Sequence, residues 1–302
     1  MEQETNFDVI IIGGSYAGLA AAMSLGRALR KVLVIDSGKP CNAQTPHSHN
    51  FITQDGKTPK EIAQLAKAQV KLYENVVFYN GLAIKGRITA QKFNILTENG
   101  DNFEAKRLIF ATGIKDQMLP IKGFDTCWGI SVIHCPYCHG YEVRNERTGI
   151  LANGDEGFEY AKLISNWTND LILFTNGEST LTEEQLIRLK KHQIEVVEKE
   201  IDCFENIDGK IQQILFKDGS ETAIKAIYAR PAFIQHTAIP ENLGCEITLQ
   251  GHIKVDAFQK TSIPGIYACG DNSTLMRSLA SAIASGTFTG AMVNKELIEE
   301  EF

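Results

Sequence analysis

Residues 8–36 read DVIIIGGSYAGLAAAMSLGRALRKVLVID, and this stretch decides the fold. Val9 to Ile12 is an unbroken β-branched run, as a parallel strand buried on both faces requires. A glycine-rich turn follows, then a helical stretch rich in alanine and leucine. A second apolar strand, Val32 to Ile35, ends on Asp36. Strand, turn, helix and strand make a βαβ unit. Gly13 permits the tight turn off the first strand, and Gly18 lets helix and strand pack closely. The helix N-terminus aims free N–H groups at a pyrophosphate, and Asp36 can accept a hydrogen bond from a ribose hydroxyl. Ser15 stands where G-x-G-x-x-G has its middle glycine and is small enough for the role. The stretch therefore predicts a dinucleotide site on Gly13, Gly14, Ser15, Ala17, Gly18 and Asp36.

Two later segments sharpen that reading. IPGIYACGDNSTLMRSLASAIASGTFTG, residues 263–290, predicts a short strand from Gly265 to Cys269, then Gly270-Asp271 and a helix of small residues. It resembles the second flavin motif of flavoproteins with two dinucleotide-binding domains, whose aspartate meets the ribitol chain of FAD. LIFATGIK, residues 108–115, resembles their intermediate ATG strand and adds Thr112 and Gly113. The three motifs in order imply FAD at the first site.

The chain also repeats itself. TGILANGDEGFEYAKLI, residues 148–164, is again strand, turn and helix, with a second strand at Leu171 to Phe174. A constant offset matches Gly13 to Ala152, Ser15 to Gly154, Gly18 to Gly157 and Asp36 to Thr175. The fold class expected is α/β, with two Rossmann-like dinucleotide-binding domains, the second inserted into the first. Residues 1–114 and 238–302 form the two parts of the FAD domain, and 115–237 the inserted NAD(P)-type domain. A nicotinamide cofactor needs an acid for a free ribose hydroxyl or an arginine for a 2′-phosphate. Thr175, Asn176 and Gly177 supply neither, and Glu178 comes three residues late, so the sequence leaves NAD(P)H binding open.

Composition narrows the partners. The 302 residues carry a formal charge of −7, with a pI near 5.6, which argues against nucleic acid. No apolar run reaches the roughly 20 residues of a membrane span. The start, MEQETNFDV, lacks a secretory signal's basic end and apolar core. A cytoplasmic location is the expectation.

Of seven cysteines, only Cys135 and Cys138 form a spaced pair, in HCPYCHGYEV, residues 134–143. A structural zinc site needs a second pair of ligands at a matching spacing, and there is none, so no metal is expected. A redox pair fits better. Pro136 suits the first position of a helix, and helix N–H groups with a neighbouring imidazolium would lower a thiol pKa. With GGSYAG, ATG, C-x-x-C and GDN in that order, nearly the whole chain resembles the low-molecular-weight thioredoxin reductase family. The resemblance implies an FAD-dependent thiol/disulfide oxidoreductase and a homodimer. It makes Cys138 the cysteine that faces the flavin, Cys135 the one that exchanges with substrate, and Asp271 the flavin-binding aspartate.

Two departures matter. The family's grip on NADPH is missing at 175–177, and the aspartate that follows its second cysteine is His139 here. Both resemble the subgroup that includes the gliotoxin and holomycin dithiol oxidases, with C-x-x-C-H-G. That resemblance implies oxidation of a small dithiol, with oxygen or another acceptor reoxidising FAD. The alternative is an NAD(P)H-dependent reductase of a thioredoxin-like protein. Histidine titrates near neutrality, so His139 is a candidate base beside the pair. His47 and His49, in TPHSHNF, fall where the family places the flavin ring; a polar loop is the plainer reading of them.

Overall fold

A computed structural model describes residues 5–89 and 92–302 of the chain. The chain forms two compact units: residues 1–43, 60–115 and 233–302, and residues 44–59 with 116–232. These differ from the spans 1–114, 115–237 and 238–302 by a residue at one crossing and five at the other. They differ more at 44–59, which packs with the second unit. Gly129 has no side chain, and the Gln44 and Thr45 side chains lie close beside it. A long-range contact of that kind leaves no periodic signal in the sequence.

The first unit is built on a sheet in the order Val76–Asn80, Val32–Asp36, Asn6–Ile12, Asn102–Phe110, with Ile266–Ala268 beyond. These five strands are parallel. An antiparallel pair, Ala83–Thr89 and Lys92–Thr97, extends the sheet from the early half of Asn102–Phe110. The β-branched run from Val9 to Ile12 is in the centre and buried. Helices Tyr16–Arg27 and Leu279–Glu301 cover one face. Their close approach explains the small residues of 281–290: a Cβ at Gly286 would fall 2.1 Å from the Ala17 carbonyl oxygen. The other face holds a second apolar cluster around Phe103, Phe110 and Ile266.

The second unit repeats the plan. Its parallel sheet runs Glu195–Val197, Leu171–Phe174, Thr148–Leu151, Ala226–Ala229, Val132–Ile133. Helices Gly154–Ile164 and Glu183–Lys191 cover one face, and an antiparallel three-stranded sheet, Ile201–Ile207, Lys210–Phe216 and Glu221–Ala223, contributes to the core on the other. In both units the strand order reverses beside the first strand of the βαβ motif, the position where open α/β sheets bind ligands at their carboxyl ends.

Candidate active site

At the first reversal point the sequence motifs come together on one edge. Ile12 pairs with Ile35 on one side and Phe110 on the other, and Phe110 pairs with Ala268. The chain leaves these strands at Gly13, Asp36, Ala111-Thr112-Gly113 and Gly270-Asp271. Gly13 has φ +106°, and a Cβ there would meet the Ala111 carbonyl oxygen at 2.2 Å. Gly14 donates its N–H to Asp36 Oδ1 at 3.2 Å, which holds the carboxylate at the turn. Ala17 and Gly18 are buried in the first helical turn. Ser15 is the N-cap but makes no side-chain capping bond, and the first turn carries no acid. An uncapped helix N-terminus without negative charge suits a diphosphate.

Asp271 is partly buried, its Oδ2 3.8 Å from Arg277 Nε. Beside it stands a residue the sequence reading passed over. Asn272 is fully buried, and its Nδ2 donates to the Phe110 carbonyl oxygen at 2.9 Å and to Thr112 Oγ1 at 3.2 Å. Asn272 Oδ1 is buried and has no partner among the described residues. The cradle of small residues, the open helix end and this orphan acceptor fit a bound dinucleotide.

The second reversal point is different. Asn153 caps its own helix, accepting the Gly154 N–H at 2.8 Å. The same Oδ1 accepts the Thr180 N–H at 2.9 Å and hydroxyl at 3.2 Å, and Asn153 Nδ2 donates to the Glu178 carbonyl oxygen. Asp155 and Glu156 occupy the first turn. Thr175, at the position of Asp36, is buried and donates its hydroxyl to the Gly177 carbonyl oxygen at 2.6 Å. The Gly154 N–H is thus already bonded to Asn153, and two carboxylates stand in the first turn, where they disfavour a diphosphate.

The cysteine pair follows the strand Val132–Ile133, at the carboxyl edge of the same sheet. Cys135 is the N-cap of a four-residue helix, Pro136–His139. The Cys138 thiol donates to Cys135 Sγ at 2.7 Å. That bond, with the backbone N–H groups of Cys138 and Tyr137 and the Arg230 guanidinium, outweighs burial and brings Cys135 down to about 7. The expected neighbouring imidazolium is not the cause. Burial drives the His139 pKa down; Glu142 pushes it up and His49 down, and the net is downward. Burial thus favours the neutral imidazole of His139. His134 serves through its backbone, whose carbonyl oxygen accepts the Tyr160 hydroxyl at 2.5 Å, while its ring stacks on Trp128. Arg230 lies over the Tyr160 ring, 4.0 Å from its centroid. Glu142, Tyr160 and Arg230 were missed in the sequence. Only Glu142, three residues past His139, left a local trace. Among the described residues no cluster of three or more His, Cys, Asp or Glu is placed to hold a metal.

This arrangement, two Rossmann-type units with a dithiol in the second, defines a flavin-linked disulfide oxidoreductase. The pyridine nucleotide-disulphide oxidoreductase family matches residues 7–286, and the chain belongs to it. It is 31% identical over 304 residues to a thioredoxin reductase of Claviceps purpurea, tcpT, covering 97% of this chain and 95% of that one. The structure superposes on a putative thioredoxin reductase, TrxB, of Bacillus anthracis with TM-score 0.93 and 29% identity, covering 98% and 100% of the chains. It superposes on HlmI with TM-score 0.94 and 29% identity, covering 100% and 95%. The protein is an FAD-dependent thiol/disulfide oxidoreductase of thioredoxin reductase type. Among the described residues no helix is long and apolar enough to cross a membrane.

Proposed function

We propose that the protein oxidises a small dithiol to a disulfide, with oxygen as the terminal acceptor. The observation that supports this reading is the second turn, where Asn153 bonds to Gly154 and Thr180 and two acidic residues stand in the first helical turn, an arrangement unfavourable to a nicotinamide dinucleotide. With no reductant bound there, electrons enter through the cysteines.

The cycle starts with Cys135 and Cys138 joined as a disulfide. A substrate thiolate attacks Cys135 Sγ, the Cys135–Cys138 bond breaks, and Cys138 leaves as thiolate. The substrate's second thiol then attacks its own sulfur in the mixed disulfide. His139 takes that thiol's proton, and Cys135 leaves as thiolate with the product disulfide released. A leaving thiol with pKa near 7 departs readily at neutral pH. A neutral imidazole is the form that accepts a proton. The substrate has lost two electrons, and the cysteine pair has gained them. Gly13, Gly14, Ser15, Ala17, Gly18, Asp36, Thr112, Gly113, Gly270 and Asp271 would hold FAD, which would supply a two-electron acceptor for the reduced pair, with oxygen as the final oxidant. The five scattered cysteines outside the pair fit a reducing compartment, and we place the protein in the cytoplasm as a homodimer.

The test is anaerobic stopped-flow on the purified yellow protein. Dithiothreitol should bleach the flavin band, and NADH or NADPH at micromolar concentration should leave it standing over seconds. Rapid bleaching by either nucleotide overturns the oxidase direction and makes the protein a reductase.

A further inference from the structure

Beside Cys135 stands a cation for which the cycle has no substrate role. The strand Ala226–Ala229 pairs in parallel with Val132–Ile133, with Tyr228 opposite Ile133. Pro231 favours extended backbone at the residue before it, and the register, carried on by two residues, sets Arg230 opposite Cys135 at the carboxyl edge of the sheet. Alternation along the strand puts Tyr228 and Arg230 on one face, and both meet Tyr160. The Tyr228 ring stands edge-on to the Tyr160 ring, with centroids 5.9 Å apart, and the Arg230 guanidinium lies 4.0 Å from the Tyr160 centroid.

Tyr160 ties this cation to the cysteine turn. It is buried, on the helix Gly154–Ile164, and its hydroxyl donates at 2.5 Å to the carbonyl oxygen of His134, the residue before Cys135. One rigid side chain thus carries the guanidinium on its face and holds the backbone that leads into Cys135. A guanidinium laid on an aromatic face still presents N–H donors at its edge to a planar anion. Arg230 is exposed, and among the described residues no carboxylate comes within ion-pair distance of it, Glu156 in the first turn of the Tyr160 helix included. Its charge is also one of the causes that lower the Cys135 thiol. In a chain of net charge −7, a fixed cation without an acidic partner at the exchanging cysteine attracts an anion from solution.

We propose that Arg230 is a specificity-determining residue of this site: it pairs with a carboxylate on the substrate, so that the dithiol oxidised here is a small acidic one. The proposal rests on the dithiol-oxidising reading above and names its substrate class. A carboxylate accepts two parallel N–H bonds from a guanidinium, which fixes the substrate while its thiol meets Cys135. The exchange is that of the cycle above. The substrate loses two electrons and two protons as its disulfide forms; the Cys135–Cys138 disulfide takes the electrons, and His139 and solvent take the protons.

Dihydrolipoate and dihydrolipoamide carry the same dithiol on the same flexible chain and differ only in a terminal carboxylate or amide. Each is mixed anaerobically with the FAD-loaded protein, and the second-order rate constant of flavin bleaching is measured. Dihydrolipoate should be faster by roughly three- to tenfold, the scale of one solvent-exposed charge-assisted pair. Sodium chloride at about 0.5 M should erase most of that preference by screening. Arg230→Gln should bring the ratio of the two rates to about one, and Arg230→Lys, which keeps the charge but loses the planar fork, should fall between. Taking the ratio cancels any change in Cys135 reactivity, which acts on both substrates alike. A ratio at or below one in the unmodified protein, or an unchanged ratio in Arg230→Gln, overturns the assignment. Neither dithiol bleaching the flavin while NADPH does overturns the oxidase reading, and this proposal with it. Both bleaching it at equal rates overturns the Arg230 role alone.

Discussion

The two βαβ turns of this chain share a plan and have come to opposite ends. In the first, Gly13 takes φ +106° and Ser15 stays extended at φ −89°, ψ −162°, leaving the helix end uncapped. In the second, Ala152 replaces that first glycine, and the left-handed residue is Gly154 at φ +56°. Moving the left-handed residue brings Gly154 against Thr180 and lets Asn153 close the helix end. The topologically matching strands differ too. Phe110 pairs with Ile12 and leads to Ala111-Thr112-Gly113, whereas Ala229 pairs with Leu151 and leads to Arg230. One edge is kept small and open for a cofactor. The other carries a cation and a dithiol. A nucleotide-binding plan can thus keep its sheet and helix while its ligand-facing atoms turn inward to the protein.

The sharpest way to break this comparison is at the last glycine of each turn, Gly18 and Gly157. A Cβ on Gly18 would sit 1.9 Å from the Gly13 carbonyl oxygen, and one on Gly157 would sit 3.2 Å from Ala152 backbone atoms. Gly18→Ala should cost about 3 kcal/mol or more by overpacking against backbone, with loss of FAD. Gly157→Ala should fall within about 1 kcal/mol of neutral, because a gain in helix propensity of that size offsets the tighter contact. Thermal melts of the two variants, with flavin content measured alongside, decide it. Equal losses would show that the second turn is as tightly built as the first.

The next comparison is at the strand ends. Asp36→Ala should weaken FAD retention by about 1.5–3 kcal/mol, the range of a hydrogen bond to a charged group, or roughly 10–150-fold in Kd. Thr175→Ala, its match in the repeat, should leave FAD retention unchanged. Flavin release followed by fluorescence during dialysis measures both, and equal retention in the two proteins would deny Asp36 its role.

The smallest effect is expected at Arg230. Cys135 gains thiolate as pH rises through about 7, and the Arg230 charge contributes to that low value. Arg230→Gln should move the midpoint up, by roughly half a unit for an exposed guanidinium screened by solvent, so that less thiolate is present at neutral pH. Iodoacetamide labelling of Cys135 in the reduced protein, read by peptide mass across pH, should show slower labelling at pH 7 and the same plateau at high pH. An unmoved midpoint would mean that the hydrogen bonds from Cys138 and the backbone suffice.

Much of this molecule was legible because its signals are local. The β-branched run from Val9 to Ile12 could only be a buried strand, and it lies at the centre of its sheet with every member buried. The repeat offset placed Leu171 to Phe174 as the second strand of the second unit, and that strand runs over those residues. The strand expected from Gly265 to Cys269 is shorter, Ile266–Ala268, because Gly265 and Gly270 at its ends hold left-handed backbone. The helix begun by Pro136 is present but only four residues long. Gly140, which follows it, lies against Trp167, 27 residues away, a contact that leaves no local signal.

The sequence by itself determined the two βαβ units, the flavin motifs and the spaced cysteines. Each is written within a few turns of chain, where periodicity, glycine placement and spacing act directly on the backbone. It also showed that residues 175–177 lack the charge a nicotinamide ribose needs. Only the tertiary structure decided that Asn153 is engaged at the second helix end, because Asn153 and Thr180 meet across 26 intervening residues that include a helix and a strand. Only the tertiary structure brought segment 44–59 into the unit that holds the cysteines, so that His49 Nε2 lies 3.5 Å from Glu142 Oε1 across 93 positions of chain. Electrostatic coupling depends on distance in space, and no spacing along the chain encodes it.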